Sequence, residues 1–250
     1  LLLMNNKIIT FIYIFLNTLI SFGFKIKEHL INSKKKNNIF FKKPNYLNIH
    51  KGKDFLIILS GPSVLENKKE LIKLSERKEI ITLTCNKSGN LLKSDYNIFI
   101  NRRRFLTSNI NENKSKKILL STMFNKNLYS KYIKNNYIDL IPNDYIYIGK
   151  KRGCFIKKGV IYHCNANVAI ISILTAINMG ANNIYIAGMD GYVEGINNHF
   201  YIEKDMTLKN IKETDINNLF FLEKISNNKI EFKINELKII TPTKFKGFYK

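Results

Sequence analysis

From Val168 to Met179 the chain is almost unbroken apolar sequence, VAIISILTAINM. Such a run is too long for a strand, and it ends at Gly180, the residue type that commonly follows a helix end. It predicts a helix apolar on all sides, which must be buried on most of them. Asn183–Ala187 (NIYIA) follows as a short apolar run suited to a central strand, and it breaks at Gly188-Met189-Asp190-Gly191. Helix, tight turn, buried strand and a carboxylate between glycines describe half of a doubly wound α/β unit. Ligands of such sheets collect beyond the carboxyl ends of the strands, where Gly188 and Asp190 stand. Gly-x-Asp-Gly is equally the composition of a plain turn.

The same alternation runs through the rest of the chain. Asp54–Ser60 (DFLIILS) predicts a buried strand of the parallel-sheet type, and Val64–Arg77 carries helical spacing at Val64, Leu65, Leu71, Ile72 and Leu74. Between them stand Gly61, Pro62 and Ser63: a glycine that lets backbone amides approach a ligand, and a hydroxyl able to cap the helix or touch a phosphate. Glu79–Thr84 is the next strand, ending in Cys85-Asn86, and Asn86 offers both a donor and an acceptor to a base or sugar. Tyr96–Ile100 leads into Arg102-Arg103-Arg104. Guanidinium groups bind phosphate bidentately, so Arg102 and Arg104 are candidate phosphate ligands, with a solvated loop as the alternative. Lys117–Ser121 reads as a fourth strand, and Tyr145–Ile148 and Cys154–Tyr162 as short strands or a hairpin reaching His163.

Ahead of this α/β pattern, Ile8–Phe24 is an apolar run about as short as a spanning helix can be, followed by Lys25, Lys27 and Lys34–Lys36. The chain opens on Leu, so residues 1–36 read as a membrane anchor or as the tail of a further domain. If the run spans a membrane, its basic flank places everything downstream on the cytoplasmic side. Residues 37–53, polar and containing Pro44, read as a linker, leaving 54–250 as the α/β domain.

Composition changes this picture in two respects. A formal net charge of +22 raises the question of nucleic acid, but the charge is scattered, no nucleic-acid motif accompanies it, and the joint excess of Ile, Asn and Lys without Trp suits AT-rich coding. The expectation is therefore no nucleic-acid partner and a general attraction for anions. The three cysteines form no Cys-x-x-Cys pair, which suits a reducing, cytoplasmic setting and assigns no metal ligand.

Taken together, a strand followed by Gly-Pro-Ser, a strand ending Cys-Asn, and helix-Gly-x-x-x-Ile-Tyr-x-x-Gly-x-Asp resemble the bacterial sialyltransferases with a single modified Rossmann domain. Thr214-Asp215-Ile216, Phe221-Leu222-Glu223-Lys224 and Thr241-Pro242-Thr243 are similar in order and spacing to the last helix and strand of that group. Related domains occur in the motility-accessory-factor glycosyltransferases, in pterin-diphosphokinase-like proteins, and behind aldolase-type barrels in polysaccharide gene clusters. The resemblance covers about Asp54 to Thr243. It implies a nucleotide-sugar donor, CMP-linked in the sialyltransferases, and a glycan acceptor. Gly61, Pro62 and Ser63 would sit at the nucleotide phosphate and Asn86 at the nucleotide or donor sugar. His163-Cys164-Asn165-Ala166-Asn167 stands where that group has Arg-x-Thr-Ser-Gly, which brings Asn165 to the donor. His199 is the approximate counterpart of their catalytic base, with Asp190 as the other candidate to take the acceptor's proton. In a diphosphokinase-like alternative, Asp190 holds a Mg²⁺ bridging ATP phosphates, with Glu194 as its only close acidic partner. A third reading is a non-catalytic nucleotide-sugar-binding module.

Overall fold

The computed structural model describes residues 46–108, 115–120, 138–141, 145–147, 155–157, 159–163, 167–193, 197–201 and 211–249. Ile8–Phe24 lies outside them, and no helix among the described residues is long and apolar enough to cross a membrane.

In chain order the strands are β1 (Asp54–Ile58), β2 (Ile80–Cys85), β3 (Tyr96–Phe99), β4 (Lys116–Leu120) and β5 (Ile138–Ile141). Then come β6 (Tyr145–Tyr147), β7 (Phe155–Lys157), β8 (Val160–His163), β9 (Asn183–Ala187) and β10 (Glu236–Ile239). The helices are α1 (Ser63–Glu66), α2 (Lys68–Ser75), α3 (Arg102–Leu106), α4 (Val168–Asn178), α5 (Ile211–Asn227) and α6 (Lys229–Phe232). Seven strands form one sheet in the order β10-β9-β1-β2-β3-β4-β5, and every neighbouring pair is parallel. The domain is a Rossmann-like α/β fold with a parallel sheet. β9 is interior, between β1 and β10, as its apolar sequence predicts. β6, β8 and β7 form a second small sheet, in which β7 and β8 are the expected hairpin.

The central strand shows why both faces are covered. Phe55, Ile57 and Leu59 point into one core with α4 and with Phe221, Leu222 and Ile225 of α5. Leu56 and Ile58 point into the other, with Val64 of α1 and Leu71 of α2. This is the two-residue period of a strand, with an apolar layer on each side. α4 has no polar face to turn outward, and Ala169 through Asn178 are all buried. Chain order runs one way from β1 through β2 and β3, whereas β9 and β10 lie on its other side. The order therefore reverses at β1/β9, which opens a crevice at the carboxyl edge there.

Two expectations need correction. Residues 46–53 are part of the domain and not linker: Tyr46 is buried, and the amides of Asn48, His50 and Gly52 donate to the carbonyls of Asn178, Met179 and Gly180, each at 2.9 Å. The turn thereby satisfies carbonyls that the end of α4 would leave orphaned. The helix expected over Val64–Arg77 breaks at Asn67, whose side-chain amide donates to the Ser63 carbonyl at 2.8 Å and leaves two short helices. Arg102–Arg104 is the first turn of α3, capped by Asn101, whose Oδ1 accepts from the amides of Arg103 (2.9 Å) and Arg104 (3.3 Å).

Candidate functional site

The loops after β1, β9 and β10 are tied together by hydrogen bonds. Asp190 accepts the Ser63 amide on Oδ2 at 2.8 Å and the Ser63 hydroxyl on Oδ1 at 2.5 Å. The Ser63 Oγ also lies 2.9 Å from Thr241 Oγ1, which accepts the Gly188 amide at 2.9 Å. Gly61 donates its amide to the Gly188 carbonyl at 3.0 Å. A side chain at Gly61 would collide with Asp190, and Gly188 has a φ of +75°, which favours glycine. The two glycines exist here so that the β1 and β9 loops can touch.

Beside this junction lies a cleft, open to solvent and placed at the switch point of the sheet. Ser60 and Gly61 line it from β1, Asn86 from β2, Arg104 from α3, and Gly188 and Asp190 from β9. Tyr192, Asn198 and His199 close one side, with Asn167 and Asn218 on another. Asn86 sits in the left-handed region at φ 54°, a conformation asparagine tolerates better than most residues. It is 1% exposed, and its Oδ1 has no hydrogen-bond partner among the described residues. A buried acceptor without a donor is costly in a folded protein and marks a place where a ligand or water can complete the bond.

The His199 wall is rigidly built. Asn198 donates to and accepts from the backbone of Val193 (2.9 and 2.6 Å), and the Phe200 amide donates to the Ser60 carbonyl at 3.0 Å. The imidazole stacks on Tyr201 with centroids 5.2 Å apart, and the Lys87 ammonium lies 4.7 Å from the Tyr201 ring centroid. Tyr192 is pinned by its amide, which donates to the Asp215 carboxylate at 3.0 Å. Lys244 donates to the Tyr192 carbonyl and lies 3.7 Å from Asp215.

Burial raises the Asp190 carboxyl above its ordinary value; the two Ser63 bonds pull it down and Glu66 pushes it up. The Tyr192 phenol is raised by burial, against the pull of Arg104 and with a push from Asp215 and Tyr201. A carboxylate and a cation therefore meet in one partly dry cleft, where charge acts more strongly than in water.

Of the residues singled out from sequence, Gly61, Asn86, Arg104, Gly188, Asp190 and His199 line this cleft. Pro62 and Ser63 do not line it. Ser63 commits both its amide and its hydroxyl to Asp190, and the Gly61 amide is taken by Gly188. The β1 loop thus serves as a joint and does not present these donors to a phosphate. Nor does Ser63 cap a helix: the capping position is Pro62, with no side-chain cap. Asn165 and the side chain of Arg102 lie outside what the structure describes. Glu194 does too. Asp190 is left with both oxygens engaged, and no group of three His, Cys, Asp or Glu side chains comes together among the described residues. Among the described residues, then, no ligand set for Mg²⁺ gathers around Asp190.

Asn167, Tyr192, Asn198 and Asn218 also line the cleft without having been singled out. Three of them carried a signal: Asn167 directly precedes the apolar helix, Tyr192 follows Asp190 by two, and Asn198 adjoins His199. Asn218, mid-helix, carried none; its Oδ1 accepts from Asn167 Nδ2 at 2.8 Å. Comparison with protein-family models, with curated proteins and with solved structures finds no match to this chain.

Proposed function

We propose that the cleft binds a nucleotide-activated sugar and that the chain transfers the sugar to a hydroxyl of a glycan acceptor, as a glycosyltransferase of cell-surface polysaccharide or glycoconjugate synthesis. The observation that carries this reading is the meeting, at the switch point of a parallel sheet, of the buried Asn86 acceptor, Arg104 and His199 in one cleft. Asn86 receives a donor from the nucleotide or its sugar. Arg104 balances the charge on the phosphate as it leaves. His199 takes the proton of the attacking hydroxyl, so that the glycosidic bond to phosphate breaks as the bond to the acceptor oxygen forms. Asp190, saturated on one side by Ser63, is an acceptor that orients ligand hydroxyls; this supports giving the base role to His199. The Mg²⁺/ATP alternative has less support because no group of three His, Cys, Asp or Glu side chains gathers among the described residues.

The test is release of nucleotide from CMP-, UDP- and GDP-sugars in the presence of glycan acceptors. His199→Asn should keep donor binding and lose turnover about 10²–10⁴-fold, the usual contribution of a general base. Binding without turnover in the unaltered chain would leave a nucleotide-sugar-binding module, and absence of both would overturn the reading.

A further inference from the structure

Asn86 turns the chain sharply after β2, with φ at 54°; its side chain lines the cleft, and that of Lys87 reaches the Tyr201 ring instead. The turn itself is fixed. The fully buried Ser88 donates its hydroxyl to the Ile58 carbonyl at 2.8 Å and accepts the Cys85 amide at 2.9 Å. On the facing wall the His199 backbone is held on both sides, by Asn198 on Val193 and by the Phe200 amide on Ser60. Tyr201 joins the two walls. Its ring lies 16° from parallel with the imidazole at 5.2 Å and meets the Lys87 ammonium 4.7 Å from its centroid. The ammonium is therefore within about 10 Å of the imidazole, a range over which like charges repel measurably in a partly dry site. A neutral imidazole and an ammonium can share one aromatic ring, the first by stacking and the second by attraction to the π-electrons. An imidazolium shares it poorly, because two cations then compete for the same π-electrons and repel one another.

We infer that Lys87 is a positioning residue for the base: acting across the Tyr201 ring, it disfavours the imidazolium form of His199 and keeps that side chain stacked and free of a proton until an acceptor hydroxyl arrives. A base that already holds a proton cannot take one from the acceptor. Lys87 thus serves the reaction from outside the cleft, one residue beyond the Asn86 that lines it. The inference rests on the glycosyl-transfer reading for its purpose but not for its test. Among the described residues, the other charged or titratable side chains along the cleft with His199 are Arg104 of α3 and Asp190 and Tyr192 after β9. Arg104 acts on an imidazolium in the same sense as Lys87, and the Asp190 carboxylate acts against both. None of the three is altered by substitution at Lys87.

The experiment is titration of the His199 imidazole by proton–nitrogen NMR in the full chain labelled at histidine, at low salt, with the signal assigned from His199→Asn. Lys87→Met removes the charge and keeps the length of the side chain, and Lys87→Gln serves if the methionine chain does not fold. Either should raise the His199 midpoint by at least about 0.3 of a pH unit, roughly a twofold gain in proton affinity. Lys87→Arg keeps a cation on the ring and should leave the midpoint where the unaltered chain has it. A smaller rise in the methionine or glutamine chain, or an equal rise in Lys87→Arg, overturns the inference. The expected titration in a chain that binds no nucleotide sugar upholds it and removes only the transfer reading.

Discussion

A β-carbon on Gly61 would stand 2.5 Å from Cγ of Asp190 and 2.6 Å from the carbonyl oxygen of Gly188. The glycine is therefore a packing requirement of the β1–β9 junction, held by the same carboxylate that binds Ser63. Gly61→Ala should destabilise the domain by about 1–3 kcal/mol through overpacking, read as a lower urea midpoint. An unchanged midpoint would mean that the two loops separate freely.

Ile173 is fully buried at the centre of α4, in the core shared with Ile57, Leu174 and Ile186. Truncation there leaves a cavity, and Ile173→Ala should cost about 2–5 kcal/mol. Ile173→Asp adds an unpaired charge to the same site and should abolish folding altogether. A soluble aspartate variant with the original melting temperature would contradict the placement of α4.

Lys117 is fully buried in β4, where its ammonium donates to the Ser115 carbonyl (2.6 Å) and hydroxyl (3.1 Å), and burial pushes its pKa down to about 8. Between that value and the ordinary lysine range the unfolded chain holds the proton more tightly. Stability should therefore rise as pH increases through this window. Lys117→Met should lack that rise. Urea midpoints for both chains at pH 7 and pH 10 decide it, and parallel changes in the two would refute the assignment.

Cys85 ends β2 under α4, its Sγ 3.0 Å from Ser172 Oγ, and burial pushes its thiol up to about 12. A thiol that is neither exposed nor ionised is a poor nucleophile. Peptide mapping after iodoacetamide treatment should find Cys85 unmodified in the folded chain and modified in urea. Rapid labelling of the native protein would show that the sheet opens at β2.

Much of this fold was legible because the apolar runs were unambiguous. Asn183–Ala187 is the β9 strand as expected, and Val168–Met179 exceeds α4 by one residue, since a helix without a polar face can only be central. β5 was missed: its sequence, IDLI, is too short to show a period. The break at Asn67 was missed because it depends on one side-chain amide reaching a backbone carbonyl. At the site, strand ends could be placed from sequence, which located Asn86, Asp190 and Arg104 on one edge. What Ser63 does could not be read. Gly-Pro-Ser has the same spelling whether its donors face a ligand or a carboxylate more than a hundred positions away, and only the parallel pairing of β1 with β9 decides between them.

The central claim is that this cleft holds a nucleotide-activated sugar, and equilibrium binding tests it most directly. Calorimetric titration of the full chain with CMP-, UDP- and GDP-sugars should find one class that binds. Arg104→Ala, at a half-exposed position on the cleft wall, should weaken that binding at least about tenfold, since a charge-assisted bond to phosphate contributes ~1.5–3 kcal/mol. No binding by any of the three, or equal binding by Arg104→Ala, would contradict the account.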